Sequence, residues 1–166
     1  MARKCFYSFH YKPDNWRVSK IRNIGAIEGN KAATDNDWEK ITSGGDPKIK
    51  EWINEQMKGK SCALILAGSN TANRKWINYE IVQAWNKGMG VLVIYIHNIT
   101  DSKGNQCTKG SNPLYYVTHG PTKTRLSTIA KAYDPPRTTS KGVYTYISEN
   151  IVDWIEEAID IRNNND

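Results

Sequence analysis

The sequence predicts one α/β domain built on a mainly parallel central sheet. Two continuous apolar runs, residues 61–67 and 90–97, lack polar alternation and are typical of strands buried on both faces. A helical pattern separates them, and this strand–helix–strand order implies parallel strands joined by a right-handed crossover. The 166 residues suffice for one such domain and are too few for two ordinary ones, so we expect residues 1–166 to form a single domain.

The chain opens with a short aromatic segment, residues 4–9, that is typical of a central strand and ends in polar side chains. A helix is expected to follow over residues 15–24. Its apolar positions would be Trp16, Ile21 and Ile24. Residues 25–45 are rich in Gly, Asn, Asp and Ser without a clear period, which predicts a long functional loop with room for a short strand.

Two helices are predicted on either side of the first buried strand. The earlier one begins at Asp46 and Pro47, where the aspartate would cap the helix and the proline would occupy its first position, and it ends at Gly59. Its buried positions would be Ile49, Trp52, Ile53 and Met57. The later helix carries Trp76 and ends at Gly88. Its core stripe would be Ile77, Ile81, Ala84 and Trp85.

The pattern is looser after the second buried strand. Residues 98–122 are rich in loop signals, with a turn at 102–105 and an apolar anchor at 114–117. A short edge strand is expected within residues 129–133, before a pair of prolines.

The last helix is predicted over residues 145–161, and residues 163–166 should fray. Its core-facing positions would be Ile147, Ile151, Trp154, Ile155, Ala158 and Ile159.

Composition and charge narrow the possible partners. The net charge of +6 suits an anionic ligand, but Lys and Arg are scattered and form no basic block or nucleic-acid motif, so we expect no nucleic acid and favour a phosphate-bearing small ligand. The longest apolar run is far shorter than the roughly 20 residues of a membrane helix, and no export signal opens the chain. Three cysteines without C-x-x-C spacing are typical of reduced thiols. We therefore expect a cytoplasmic protein without a membrane partner.

A bulky indole and a carboxylate, Trp76 and Glu80, are spaced four residues apart and share one helix face. This face lies near the carboxyl ends of the strands, where open α/β sheets bind their ligands, and residues 8–11, 68–73 and 97–98 should reach the same edge. We expect the positive helix end to favour ionised Glu80. Such a carboxylate suits a cationic, oxocarbenium-like centre or a sugar diol. Spacing alone, however, favours a solvated glutamate and a structural tryptophan.

The sequence gives little support for nucleophilic hydrolysis, a metal site or a known nucleotide-binding motif. Ser8 and His10 could supply a hydroxyl and a base, but no third group pairs with them. The histidines lack H-E-x-x-H spacing, so we expect no metal site. The sequence also has no G-x-G-x-x-G motif and no Walker A motif.

An ordered set of segments carries a resemblance to a known family. They are residues 5–11 with Trp16 and Arg17, residues 68–80, Lys87 and Gly88, and residues 94–98. Together they resemble the TIR-like domains of the bacterial anti-phage Thoeris system, the ThsB family. The likeness runs from about residue 3 to residues 109–113, with a compatible final helix.

The resemblance implies a flavodoxin-like (TIR-like) fold, a three-layer sandwich with a central, mainly parallel sheet. It further implies an enzyme that cleaves the nicotinamide–ribose bond of NAD when infection is sensed, with NAD as substrate and no other cofactor. The ADP-ribose part would become a signalling nucleotide, typically a cyclic ADP-ribose isomer, that activates a separate effector with a SLOG-type sensor domain. Self-association and a phage-protein trigger are further partners to consider.

The resemblance also assigns roles to residues. The W-x-x-x-E pattern matches Trp76 and Glu80, which makes Glu80 the catalytic carboxylate. Loop 25–45 becomes the candidate for closing over the substrate. The substrate-binding residues would be Phe6, Tyr7, Ser8, His10, Tyr11, Arg17, Asn73, Arg74 and Trp76.

Two alternatives stay open at this point. The chain could be a non-catalytic TIR-like interaction module in which Glu80 pairs with a basic neighbour. It could also be a nucleoside deoxyribosyltransferase-like enzyme that uses the glutamate as a covalent nucleophile.

Overall fold

The structure, a computed structural model, describes residues 3–25, the backbone of residues 28–29, and residues 41–165. The described strands are β1 (Lys4–Ser8), β2 (Glu28–Gly29), β3 (Cys62–Ala67), β4 (Gly90–Tyr95), β5 (Thr118–His119), β6 (Thr124–Arg125) and β7 (Ala132–Tyr133). The helices with described bounds are α1 (Tyr11–Arg22), α2 (Asp46–Met57), α3 (Lys75–Asn86) and α4 (Ser140–Asn163).

The central sheet has the strand order β2-β1-β3-β4-β7, and each neighbouring pair is parallel. With β7 in the fifth place, this is the 2-1-3-4-5 order of flavodoxin-like folds, which reverses direction between β1 and β3. In register, Ser8 of β1 lies beside Ile65 of β3. The predicted α/β fold with a mainly parallel sheet is therefore confirmed.

Helices cover both faces of the sheet and complete three layers. On one face, α2 and α3 pack their apolar stripes on alternate residues of β1, β3 and β4. On the other face, α1 and α4 do the same against the remaining residues of those strands. Burying each large apolar side chain of such a core contributes roughly 1.5–3 kcal/mol. Because both faces are covered, all residues of β3 and β4 are buried, which explains their uninterrupted apolar sequences.

The close approach of α4 to β4 requires a glycine at position 90. A Cβ there would lie 2.8 Å from the carbonyl carbon of Ala158 and 2.8 Å from the nitrogen of Ile159. Both neighbours are backbone atoms that no side-chain rotation could move aside. Gly90 therefore sets the distance between this helix and the sheet.

Two details near the amino-terminal helices correct the expectations from sequence. The first helix begins at Tyr11, four residues earlier than predicted, and buries Val18 and Ile21, while Trp16 is 49% exposed. The helix is only weakly amphipathic, so its indole was mistaken for a core position. Ile24 is half-buried beyond the helix end.

The start of α2 also differs from the expectation. Gly45, with a φ of 80°, occupies the capping position, and Asp46 is the first helical residue and makes no capping hydrogen bond. Its carboxylate instead forms an ion pair with Lys75 at the start of α3. Pro47 is therefore the second helical residue and not the first as predicted. The predicted apolar stripe is buried except for Trp52, which is half-buried.

The carboxyl-terminal elements follow the prediction in outline. Residues Pro113–Tyr116 form a 3-10 turn that buries Leu114 but exposes Tyr115 and Tyr116, so only part of the expected anchor is correct. The hairpin of β5 and β6 was not predicted. The edge strand is shorter than the predicted segment.

The last helix, α4, begins earlier than predicted because Thr139 caps it, accepting a 3.0 Å hydrogen bond from the nitrogen of Gly142. Its predicted core positions are buried, apart from half-buried Ile159. Its last helical residue is Asn163, and the backbone nitrogens of Asn164 and Asn165 still donate to the last turn, so the fraying expected at residues 163–165 is not observed.

Other expectations concern loop 25–45 and the cysteines. Gly25, residues 28–29 and residues 41–45 are the parts of this loop that the structure describes, and a short strand is indeed present there as β2; the rest of the predicted closing loop lies outside the described residues. Cys5 and Cys62 are buried and Cys107 is half-buried, and all three are free thiols. Within the described residues, no helix has the length and apolarity needed to cross a membrane.

Candidate active site

The candidate site lies at the carboxyl ends of β1 and β3, where the strand order reverses. Open α/β sheets bind ligands in the crevice at this point, because the connections leaving the two strands turn to opposite faces. Here β1 leads into α1 on one face, and β3 leads through residues 68–74 into α3 on the other. The crevice is therefore walled by the first turns of two helices.

A hydrogen bond between Ser8 and Glu80 joins the two walls. Ser8, the last residue of β1, donates from its Oγ to Oε1 of Glu80 over 3.0 Å. Ser8 points to the sheet face covered by α3, because side chains alternate along a strand. Glu80 lies in the second turn of that helix, and its exposed fraction is only 8%. The expectation of a solvated glutamate is therefore wrong.

Burial controls the charge of this carboxyl. It raises the pKa of Glu80 from 4.5 to about 8, and the hydrogen bond from Ser8 lowers the pKa only in part. Within the described residues, Glu80 forms no salt bridge, which also argues against the pairing with a basic neighbour considered above. The positive helix end was expected to keep Glu80 ionised, but desolvation outweighs it, so the resting carboxyl is mostly neutral at pH 7.

Trp76 acts differently from the glutamate one turn away. Its ring is half-buried against the core beneath α2 and α3 and meets Tyr79 edge to face at 5.6 Å. Tyr79 in turn accepts a 2.9 Å hydrogen bond from Asn54 of α2. Lys75 places its Nζ 4.9 Å from the Trp76 ring centre. These contacts hold the first turns of α3 in place, in keeping with a structural tryptophan.

Phe6 and Tyr7, expected among the substrate-binding residues, are buried in the two halves of the core. Phe6 is fully buried in the core under α3, and Tyr7 is buried on the opposite face, where the guanidinium of Arg22 lies 4.4 Å from its ring centre. Strand alternation sends neighbours to opposite faces, and neither of these two reaches the end of the strand. Of the three consecutive residues, Ser8 is the last of the strand and the one whose side chain contacts Glu80, and it is itself fully buried.

Arg17, another of the expected substrate-binding residues, has partners within the protein. Its side chain is buried, and it donates to the backbone oxygens of Ile99 at 2.7 Å and Asn105 at 2.9 Å. It also pairs with Asp14 at 3.2 Å. A guanidinium has five N–H donors. In Arg17 these donors are used to tie α1 to the loop after β4, so they are not available to a ligand.

The remaining predicted residues follow the ends of β1 and β3. His10 occupies the position before α1 without making a capping hydrogen bond, and burial together with the charge of Arg74 lowers its pKa, so it is neutral at pH 7. Arg74 occupies the position before α3, also without a capping hydrogen bond; it is exposed and donates from Nε to the oxygen of Asn70 at 2.7 Å. Asn73 is exposed with a φ of 60°, and Tyr11 is half-buried.

Sequence reasoning missed a tight packing between Asp14 and Gly68. A Cβ on Gly68 would lie 2.4 Å and 2.6 Å from the two carboxylate oxygens of Asp14. The amide of Gly68 donates to the Oγ1 of Thr71 over 2.9 Å, and both Asp14 and Thr71 are buried. A glycine directly after a buried strand was the available signal, since it often marks a close approach of another group.

A second loop supports the same strand end. Ser69 donates to the oxygen of Thr108 over 2.6 Å. A Cβ on Gly110 would lie 2.5 Å from the oxygen of Ser69, so this position also needs a glycine. The connection from β3 to α3 is thus packed between α1 and residues 108–110. Among the described residues, no group of three His, Cys, Asp or Glu side chains could hold a metal ion.

A flavodoxin-like sheet with a buried carboxyl on the helix after β3, beside the end of β1, has the form of a TIR-like domain. Comparison with known families agrees. The model of the family described as "Thoeris protein ThsB, TIR-like domain" matches residues 6–101, and the chain belongs to this family. The matched range contains Ser8, Arg74 and Glu80.

A relative extends the comparison. The chain is 34% identical over 122 residues to a protein of Bacillus cereus (strain MSX-D12) named "Putative cyclic ADP-D-ribose synthase ThsB1". The match covers 70% of this chain and 64% of the relative, so it spans less than two thirds of the relative's length.

Proposed function

We propose that this protein is an anti-phage TIR-like enzyme that cleaves NAD at the nicotinamide–ribose bond and makes a cyclic ADP-ribose-type signal. The observation that carries the proposal is the buried Glu80 carboxyl, hydrogen-bonded to Ser8 at the point where the strand order reverses. Membership in the ThsB family and the relative's name as a cyclic ADP-D-ribose synthase support the same reaction.

The reaction begins with loss of nicotinamide. The bond between C1′ of the ribose and the ring nitrogen breaks, its electron pair moves to the nitrogen, and neutral nicotinamide leaves without needing a general acid. Positive charge then develops on the ribose ring. A carboxylate beside that ring stabilises the charge more in the transition state than in the bound substrate, which lowers the barrier.

Glu80 must lose its proton to play this role. Its raised pKa keeps it mostly neutral in the resting site. A cationic nicotinamide nearby favours the charged carboxylate, because opposite charges at short range lower the pKa of an acid. Substrate binding would therefore ionise Glu80, and the hydrogen bond from Ser8 would hold the carboxylate in place.

Cyclisation needs the far half of the same molecule to reach C1′ before water does. A nitrogen of adenine or a hydroxyl of the second ribose attacks C1′, forms the new bond and, in the hydroxyl case, releases a proton. Holding this half in place favours the internal attack over hydrolysis. His10 and Arg74 follow the ends of β1 and β3 and suit the pyrophosphate, His10 as a neutral donor and Arg74 as a cation.

The product would act at a distance. A diffusible nucleotide would activate a separate effector protein, and self-association or a phage component would control its synthesis. Neither partner needs a nucleic-acid or membrane surface on this chain.

The test is nucleotide analysis with a matched pair of variants. Nicotinamide release and cyclic products are measured by mass spectrometry, with purified protein and NAD and also in phage-infected cells, because an infection cue can be required. We expect Glu80→Gln to abolish both products. Glu51→Gln, the same change at an exposed position of α2, should leave them unchanged. Full product formation by Glu80→Gln would overturn the proposal.

A further inference from the structure

Asp14 is a buried acid that the proposed chemistry does not use. It lies in the first turn of α1, and its exposed fraction is 2%. Oδ1 pairs with Arg17 at 3.2 Å, whereas Oδ2 is buried without a hydrogen-bond partner that meets ordinary geometry. Burial raises the pKa of Asp14, while Arg17, Thr71 and Arg74 act in the opposite direction. A buried carboxylate is costly unless its charge is compensated, and Arg17, Thr71 and Arg74 compensate it only in part, because the pKa of Asp14 stays raised.

Both carboxylate oxygens lie against the connection that leads to the proposed substrate residues. Asp14 occupies the space where a side chain on Gly68 would stand, and Gly68 is tied to Thr71 through its amide. Three residues after Thr71 the chain reaches Arg74, which occupies the position before α3. A change in the position of the Asp14 carboxylate would therefore shift Arg74, because residues 68–74 form one short, tightly packed segment.

The charge of Asp14 also acts on Arg74 directly. The positive charge of Arg74 favours ionised Asp14 and disfavours protonated His10, so Arg74 lies within electrostatic range of both groups. Arg74 forms no salt bridge within the part of the chain that the structure describes. Its cation is thus held near the crevice without being neutralised by a close contact.

We propose that Asp14 is a positioning residue of the substrate site, which acts through Gly68 and Arg74 to hold the cation that receives the pyrophosphate of the dinucleotide. The inference rests on the proposed function. Asp14 is covered by the Gly68 segment, so it does not touch substrate. Asp14 determines the position of Arg74. The geometry of Ser8 and Glu80, which lie on the other side of the Gly68 segment, does not depend on it.

The test measures NAD binding by calorimetry in the Glu80→Gln background, where no turnover occurs. Adding Asp14→Asn, which keeps the shape and removes the charge, should weaken NAD binding by roughly tenfold, as coupled contacts of this kind do. Arg74→Ala should weaken it similarly. The two changes together should cost no more than either alone, because both remove one contact.

Controls separate positioning from a general loss of structure. Asp101→Asn removes another carboxylate, 4.0 Å from Arg17, but one that does not lie against Gly68, so NAD affinity should stay unchanged. If Asp14→Asn does not fold, Thr71→Val takes its place, since it frees the amide of Gly68 while keeping the pair of Asp14 and Arg17. It should weaken NAD binding in the same way.

The outcomes are distinguishable. If the reference binds NAD and Asp14→Asn lowers only the melting temperature, Asp14 is structural and the inference is wrong. If the effects of Asp14→Asn and Arg74→Ala multiply, the route through Arg74 is wrong. If neither wild type nor the Glu80→Gln reference binds NAD, with or without extract of phage-infected cells, the proposed function fails and the inference falls with it.

Discussion

Ser8 and Glu80 are 72 residues apart in the chain and meet through a 3.0 Å hydrogen bond inside the protein. The contact joins the end of β1 to the second turn of α3 at the reversal point of the sheet. The hydrogen bond fixes the Glu80 carboxyl, which burial has made mostly neutral at pH 7.

Glu80→Gln should stabilise the protein at neutral pH. Folding raises the pKa of Glu80 from 4.5 to about 8, so between these values the folded state holds a proton that the unfolded state has released. The free energy of unfolding therefore falls as pH rises through this window. A glutamine avoids this loss, which is on the order of 3 kcal/mol at pH 7. Urea unfolding should show a gain over wild type at pH 7 that vanishes near pH 4, and Glu51→Gln should show none.

NAD cleavage should accelerate as pH rises. The free enzyme must lose the Glu80 proton, so kcat/KM should increase tenfold per pH unit at low pH and level off near the raised pKa of about 8. Steady-state rates of nicotinamide release between pH 5 and pH 9 measure this. A profile that is flat from pH 5 upward would show that Glu80 is already ionised in the free enzyme.

Ser8→Ala should move that profile to higher pH. The hydroxyl of Ser8 lowers the pKa of Glu80 by bonding to its carboxylate form, so its removal raises the pKa further and leaves a buried carboxyl without a partner. Ser148→Ala on α4 is the control. The hydroxyl of Ser148 donates to the backbone oxygen of Thr145 in the same helix, and both residues are far along the chain from Ser8 and Glu80. Equal pH profiles for wild type and Ser8→Ala would contradict the role given to this bond.

Trp76→Ala should lower the free energy of unfolding more than it lowers the rate of nicotinamide release by the folded protein. The ring is half-buried against the core, and its loss should cost about 2 kcal/mol, below the roughly 3–5 kcal/mol of fully buried aromatic truncations. Trp76→Phe should recover most of this, because a smaller ring can still pack against Tyr79. Thermal unfolding beside nicotinamide release separates the two effects. Loss of activity in a fully stable Trp76→Phe would instead indicate a substrate contact.

Gly90→Ala should destabilise the sheet without touching the site. A Cβ would stand 2.8 Å from backbone atoms of α4, and relieving that clash by moving the helix should cost about 1–3 kcal/mol. Gly59→Ala is the comparison, because its space is open and only its φ of 73° is unfavourable, a cost of about 1 kcal/mol. If both variants unfold at the same denaturant concentration, the close approach of α4 is not a constraint.

Local signals in the sequence were reliable where packing is periodic. The apolar runs of β3 and β4, the stripe of α3 and most of the stripe of α4 were predictable, because a strand covered on both faces and a helix covered on one each leave a repeating pattern. Trp16 is exposed although a core position was expected, and Phe6 and Tyr7 lie buried on opposite faces of the sheet. Residue type and nearness to a strand end do not tell which way a side chain faces or whether the strand has ended.

By itself, the sequence determined the order of strands and helices, and hence that Ser8 and the Glu80 helix would reach the same edge of a parallel sheet. Only the tertiary structure decided that the two side chains touch, that Arg17 is used up by backbone oxygens, and that Asp14 lies against Gly68. It also decided the charge of Glu80. Desolvation depends on every atom packed around the carboxyl, and those atoms come from segments that no local pattern connects.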